Sequence, residues 1–129
     1  MALSRGELID QAVDGYFGSV ARRDVARIAG LLAPDCVMRV VSDGIEYHGK
    51  SEILEHFDDF LGSYGRISFD GFQPLADADV QQVAVRFTIT LEGDGEPIIM
   101  KNCNFFTLDE SGRFADVAIY MSDLPEKGF

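Results

Sequence analysis

Leu8, Ile9, Ala12, Val13, Tyr16, Phe17 and Val20 recur at the three-and-four spacing of one helix face. Ser4 and Glu7 precede them in the S-x-x-E relation of a capping box, which marks a helix start. Asp24 is placed to cap a second, shorter helix carrying Val25, Ile28, Leu31 and Leu32, and Pro34 stops it. Residues 36–41 then read as a strand. Gly44 and Gly49 bracket a strand-like piece at 45–47, and a third helix follows with Ile53, Leu54, Phe57, Phe60 and Leu61 in one arc. From Arg66 onward the apolar period changes from 3.6 to 2. Val83, Val85, Phe87, Ile89 and Leu91 alternate with Ala84, Arg86, Thr88 and Thr90, and Gly93-Asp94-Gly95 supplies a hairpin connection. A return strand is expected over 98–108, a turn at Asp109-Glu110-Ser111-Gly112, and a last strand over 113–121. Helices first and a long meander second predict an α+β domain, three N-terminal helices covering one face of a curved antiparallel sheet.

Composition narrows the function classes. The 129 residues are expected to form one domain, 1–129, with no internal repeat or linker. Eleven Lys and Arg against 22 Asp and Glu give a formal charge of −11, so a phosphate backbone is repelled and nucleic acid is not an expected partner. No apolar run approaches the roughly 20 residues of a membrane span, and the N-terminus lacks signal-peptide character, so no membrane partner and a cytoplasmic location are expected. Cys36 and Cys103, the two cysteines, fall in apolar strand-like runs and read as buried free thiols. With two histidines and no Cys cluster, no metal site or other cofactor is expected.

The order of elements, the tract 16–32, the His48-Gly49-Lys50 step into the third helix and the ending Phe105-Phe106-Thr107-Leu108-Asp109-Glu110-Ser111-Gly112-Arg113 resemble the SnoaL-like and ketosteroid-isomerase-like branch of the nuclear transport factor 2 superfamily. The resemblance covers nearly the whole chain. It implies a cone: a curved sheet closed by helices around an apolar pocket, commonly dimerising through the sheet's outer face. It is specific for fold and not for function, because the superfamily includes isomerases, cyclases, dehydratases, epoxide hydrolases and members without catalysis. In ketosteroid isomerase an aspartate base removes a proton while a tyrosine and a protonated aspartic acid hold the enolate oxygen. Tyr16 matches that tyrosine, and Asn104, five residues before the Asp-Glu-x-Gly-Arg turn, stands where the protonated aspartic acid would be. Val40 stands where the base should be. An isopropyl group accepts no proton, so steroid-type isomerisation is not expected.

The residues themselves point the same way. Tyr16 lies on the apolar arc of the first helix, where its hydroxyl needs a partner or a pocket. Asn102 and Asn104 alternate with Met100 and Phe106 on one face of the return strand, and two inward amides are costly unless they bond something there. Met38, Val40, Phe57, Phe87, Ile89, Leu91, Phe106, Val117, Ile119 and Met121 are apolar candidates for core or pocket wall. Asp43, Glu46 and His48 lie near the expected mouth and are the candidate displaced bases. His56, at the border of the third helix's arc, reads as an ordinary half-exposed histidine.

Two functions remain open. One is a small enzyme of isomerase, cyclase or dehydratase type acting on an apolar, carbonyl-bearing molecule, with Tyr16 and Asn104 as neutral donors to a developing oxyanion. The alternative is a non-catalytic module that binds a hydrophobic ligand through the same groups. Alternation that sends Asn102, Asn104 and Phe106 inward sends Ile99, Cys103, Phe105, Ala118 and Tyr120 outward, and a homodimer on that face is expected.

Overall fold

Ser4 caps the first helix as its spacing predicts: its hydroxyl accepts from the Glu7 N–H, and the Glu7 carboxylate accepts from the Ser4 N–H at 2.9 Å. In the computed structural model, which describes residues 2–122, this helix runs over 5–21. It is α-helical over Arg5–Asp10, wound as a π-helix over Gln11–Phe17, and α-helical again over Gly18–Ala21. The wider π turn ends on Tyr16 and Phe17. Such segments concentrate at functional sites, where they re-aim side chains. Asp24 caps the second helix, Val25–Leu31, by accepting from the Arg27 N–H at 3.1 Å. The third helix spans Lys50–Ser63 and buries Ile53, Phe57 and Leu61.

Six strands form one sheet: β1 (Leu32–Val40), β2 (Ile45–His48), β3 (Arg66–Asp77), β4 (Gln82–Glu92), β5 (Ile98–Leu108) and β6 (Phe114–Tyr120). Their spatial order is β2-β1-β6-β5-β4-β3. The expected α+β class holds, with one correction: the sheet is mixed, because β1 pairs with β6 in parallel while every other pairing is antiparallel. The physical reason is the route of the chain. The meander β3 to β6 alternates direction by its turns, but β1 and β2 join its far side through the third helix, and a helical crossover does not force antiparallel pairing. A second difference lies at β1, which begins before Pro34. Its pairing with β6 jumps from Leu32 to Val37, and Pro34, which has no N–H to donate, sits inside that gap.

Cross-strand register sorts the inner face into rows. Met38, Val117, Phe106 and Val83 are successive neighbours across β1, β6, β5 and β4, and all are fully buried. Two residues along each strand, Val40, Ile119, Asn104 and Val85 form the next row. Gly71, at φ 66°, stands in the bulge between Asp70 and Gln73 that bends β3. After the bulge Phe72 meets Phe17 and Phe87 at centroid distances of 5.2 and 6.4 Å. Phe17 itself lies 4.5 Å from Phe87 and 5.1 Å from Phe69, so one ring joins the first helix to β3 and β4.

One polar tie joins the first helix to the sheet, and another joins the helical segments to each other. The Gln11 side chain donates to the Gly112 carbonyl at 2.9 Å, and the Arg23 guanidinium donates to the carbonyls of Leu61 and Tyr64 at the end of the third helix. On the outer face Leu75, Ile99, Phe105 and Tyr120 are exposed, with Phe105 and Tyr120 in edge contact at 5.8 Å. Cys36 is buried as expected, whereas Cys103 is half-buried on that outer face. Among the described residues no helix is long and apolar enough to cross a membrane. Truncating Phe17 to Ala should cost about 3–5 kcal/mol of unfolding free energy, as for other buried aromatics. Denaturant unfolding measures this, and a loss below about 1 kcal/mol would show that the ring is not the joint described.

Candidate active site

The inner face closes over a packed core at one end and opens into a cavity of about 290 Å³ at the other. The row after the packed one marks the change, for Val40, Ile119 and Asn104 line the cavity together with Phe87, Ile89, Asn102 and Met121. Tyr16, Phe17 and Val20 of the first helix form the opposite wall. His56, Phe57 and Phe60 of the third helix, Tyr64 just beyond it, and Ile45 and Tyr47 of β2 complete the enclosure. Asp43 stands at the mouth, on an exposed 3₁₀ turn, Val41–Asp43.

Three of the expected wall residues are not on the wall. Met38, Phe106 and Val117 have no exposed surface and belong to the closed core, because they occupy the row one pleat nearer the packed end. Two of the candidate bases are likewise displaced. The β1–β2 register pairs Met38 with Tyr47 and Val40 with Ile45, which turns Tyr47 and Ile45 inward and Glu46 and His48 outward. Glu46 there meets Arg39 at 3.4 Å and the His48 imidazole at 3.1 Å, and Arg39 is further paired with Asp116. Asp43 alone of the three lines the cavity.

The polar groups facing the cavity are few and mostly neutral. Burial raises the Tyr16 hydroxyl well above the ordinary tyrosine range, with the nearby Cys36 thiol adding to the shift, so it stays a proton donor at any working pH. Its ring is fixed by edge contacts to Phe17, Phe57, Phe106 and Phe114 at 5.0 to 6.0 Å. Asn102 accepts from the Ser122 N–H through Oδ1 at 3.3 Å. Asn104 is 2% exposed, and its Oδ1 is shut off from solvent with no hydrogen-bond partner among the described residues. An unpaired buried acceptor costs about 1–3 kcal/mol.

His56 was not among the expected site residues. Its ring stacks on Tyr47 at 4.4 Å and 24° and on Phe60 at 6.0 Å and 18°. Burial lowers its pKa, opposed by Asp59, so it is held neutral. Its place at the border of the helical arc was the available signal: a border position is where a helix edge meets a cavity. Among the described residues no three His, Cys, Asp or Glu side chains converge on a metal-sized site.

A sequence profile described as the SnoaL-like domain matches residues 13–117, from the middle of the first helix to β6. The chain belongs to the SnoaL-like domain family. This SnoaL-like domain is similar in structure to AusH from Aspergillus nidulans, with 18% identity and a TM-score of 0.81 over 95% of this chain and 88% of that one. It is also similar to a candidate polyketide cyclase from Xanthomonas campestris pv. campestris, at 17% identity and a TM-score of 0.79 over 90% of each chain. An epoxide hydrolase of the LEH-like type from M. tuberculosis matches at 20% identity and a TM-score of 0.73, over 92% of this chain and 84% of that one. At such identities the likeness speaks for the fold of the domain. No curated protein matches its sequence significantly.

The site makes one spectroscopic prediction. Because Tyr16 resists ionisation, wild type and Tyr16→Phe should develop the same tyrosinate absorbance up to about pH 11. A missing tyrosinate in the variant below that pH would mean that the hydroxyl is solvated rather than enclosed.

Proposed function

We propose that this SnoaL-like domain takes an apolar, carbonyl-bearing small molecule into the cavity and acts on it with isomerase, cyclase or dehydratase type chemistry. The observation that carries the reading is an aromatic enclosure with Tyr16, Asn102 and Asn104 in its lining, the Asn104 Oδ1 being buried with no hydrogen-bond partner among the described residues. An apolar ring system gains by leaving water for such walls, and a carbonyl oxygen gains by meeting donors that carry no charge of their own. As negative charge develops on that oxygen, donors fixed in a dry site stabilise it more than water does, without having to reorient. Asn102, whose oxygen is already engaged, keeps its NH₂ group for the same purpose. Apolar Val40, at 7% exposure on the wall, leaves the sheet side without a base for ketosteroid isomerisation.

A thermal-shift screen against steroids, polyketides and terpenoids tests the reading, since a ligand of the native state raises its unfolding temperature by mass action. Asn104→Leu should then weaken binding by about 1 kcal/mol or more while unfolding stays cooperative. Unchanged affinity with lowered stability would place Asn104 in a structural role instead. Binding without turnover of any of the three classes would favour a non-catalytic carrier.

We also propose that the domain forms a homodimer through the outer face of the sheet. The support is the exposed group Leu75, Ile99, Phe105 and Tyr120, which a monomer would leave as an apolar patch on an otherwise acidic surface. Light scattering at micromolar concentration should give twice the chain mass, reduced to one by Phe105→Lys. A monomeric wild type would sink the proposal.

A further inference from the structure

The site described above has an oxyanion end but no base on its sheet wall, and the reading of it as an enzyme requires one. The ionisable groups that line the cavity are Tyr16 from the first helix, Asp43 from the 3₁₀ turn, Tyr47 from β2, His56 from the third helix and Tyr64 just after it. The three tyrosines carry phenol groups, which donate a proton rather than take one from carbon. Asp43 is exposed on a turn that ends in Gly44 at φ 68°, so its carboxylate is solvated and its position rests on three residues of irregular backbone. Water around a carboxylate both levels its basicity and must be stripped away before carbon can approach.

His56 differs on each count. It is carried on a regular helix of 14 residues, half-buried, and its ring plane is set by the stack on Tyr47 and the ring of Phe60. Phe57, at 5.7 Å and 51°, bounds it on the side toward Tyr16. The imidazole lines the cavity with the Tyr47 ring stacked on it, and among the described residues neither ring nitrogen has a hydrogen-bond partner. A group fixed by packing and left with a free lone pair is what proton abstraction at carbon needs.

We propose that His56 is the proton acceptor of this site. The inference rests on the reading that a carbonyl compound binds with its oxygen toward Tyr16 and Asn104. In the step, a C–H bond beside the carbonyl breaks, its proton forms an N–H bond on His56, and its electron pair moves into an enolate whose charge sits on the oxygen held by Tyr16 and Asn104. The imidazolium then returns the proton to carbon, or delivers it to a departing hydroxyl, which restores the neutral ring. No oxidant or reductant is consumed. The base thus acts from the helix wall, opposite the sheet position that Val40 occupies. Burial supports the role by keeping the imidazole unprotonated, against the pull of Asp59 on the same helix and with Asp43 at the mouth of the shared cavity.

The test uses 2-tetralone, an apolar fused-ring ketone with acidic protons beside its carbonyl. Exchange of those protons in D₂O is followed by NMR, and binding by saturation transfer on the same samples. Wild type should bind and accelerate exchange, with a rate that falls toward acid pH as the imidazole becomes protonated, the fall lying below the ordinary histidine range because burial lowers its pKa. His56→Gln, which keeps a flat side chain in the stack, should bind within about threefold of wild type but lose about 10²-fold or more in exchange rate, together with the acid limb. Added imidazole should restore part of the rate to His56→Ala, which a merely structural histidine would not allow. Full exchange in His56→Gln, or loss in Asp43→Asn instead, would overturn the assignment while leaving the reading of the pocket intact. Binding without exchange in wild type would also overturn it. Failure of 2-tetralone to bind would instead count against the proposed ligand class, and the base would fall with it.

Discussion

The row of inward side chains Val40, Ile119, Asn104 and Val85 is where the hydrophobic core stops and the cavity begins, and the character of the cavity wall depends on what that row carries. A curved sheet has one concave face, and side chains along each strand reach it at every second residue. Toward the packed end this face is filled by Met38, Val117, Phe106 and Val83, which leave no space. One pleat further, a cavity opens. A polar residue placed one pleat earlier would be an uncompensated cost to folding, whereas at the boundary it faces the cavity. Asn104 occupies that boundary.

The helices keep the cavity from collapsing. Phe17 fills the space between the first helix and β3 and β4, and Tyr16 beside it is wedged among four rings, so the π-wound turn ends in two side chains that cannot swing. The Arg23 bonds to the Leu61 and Tyr64 carbonyls fix the end of the third helix, and Gln11 fixes the first helix to the β5–β6 turn. The interior is close-packed wherever side chains meet. The unfilled volume therefore persists because the surrounding elements are tied, not because the residues around it are small. Charge is kept outside: Arg39, Glu46, His48 and Asp116 form their ion pairs on the convex side of the sheet. Asp43 at the mouth is the one carboxylate among the described residues lining the cavity, whose other polar groups are tyrosine hydroxyls, the Asn102 and Asn104 amides and the His56 ring.

Much of this was legible in the residues. The capping box, the Asp24 cap, the switch of period at Arg66 and the return strand over 98–108 each rest on local chemistry, and each is present in the structure. The inward aim of Asn102 and Asn104 followed from alternation alone. The parallel pairing of β1 with β6 did not, because hydrophobic alternation encodes which face a strand buries and carries no sign of its neighbour's direction. The outward aim of Glu46 and His48 depended on the register of β2 on β1, which a four-residue strand between two glycines specifies only once it is paired.

By itself the sequence determined the elements, the faces they bury and the family of the fold, since these depend on interactions between residues close along the chain and on a period that is visible there. Whether an inward apolar side chain fills a core or walls a cavity was decided by tertiary structure. Met38 and Val40, or Phe106 and Asn104, are two residues apart and equivalent in pattern, yet one of each pair is sealed and the other faces open space. The difference is set by which elements the assembled fold brings against each row. That is a property of the packed layers and not of any local stretch of chain. His56 shows the same limit: a residue at the border of a helical arc faces solvent or cavity according to what β2 brings against it, and here it brings the ring of Tyr47.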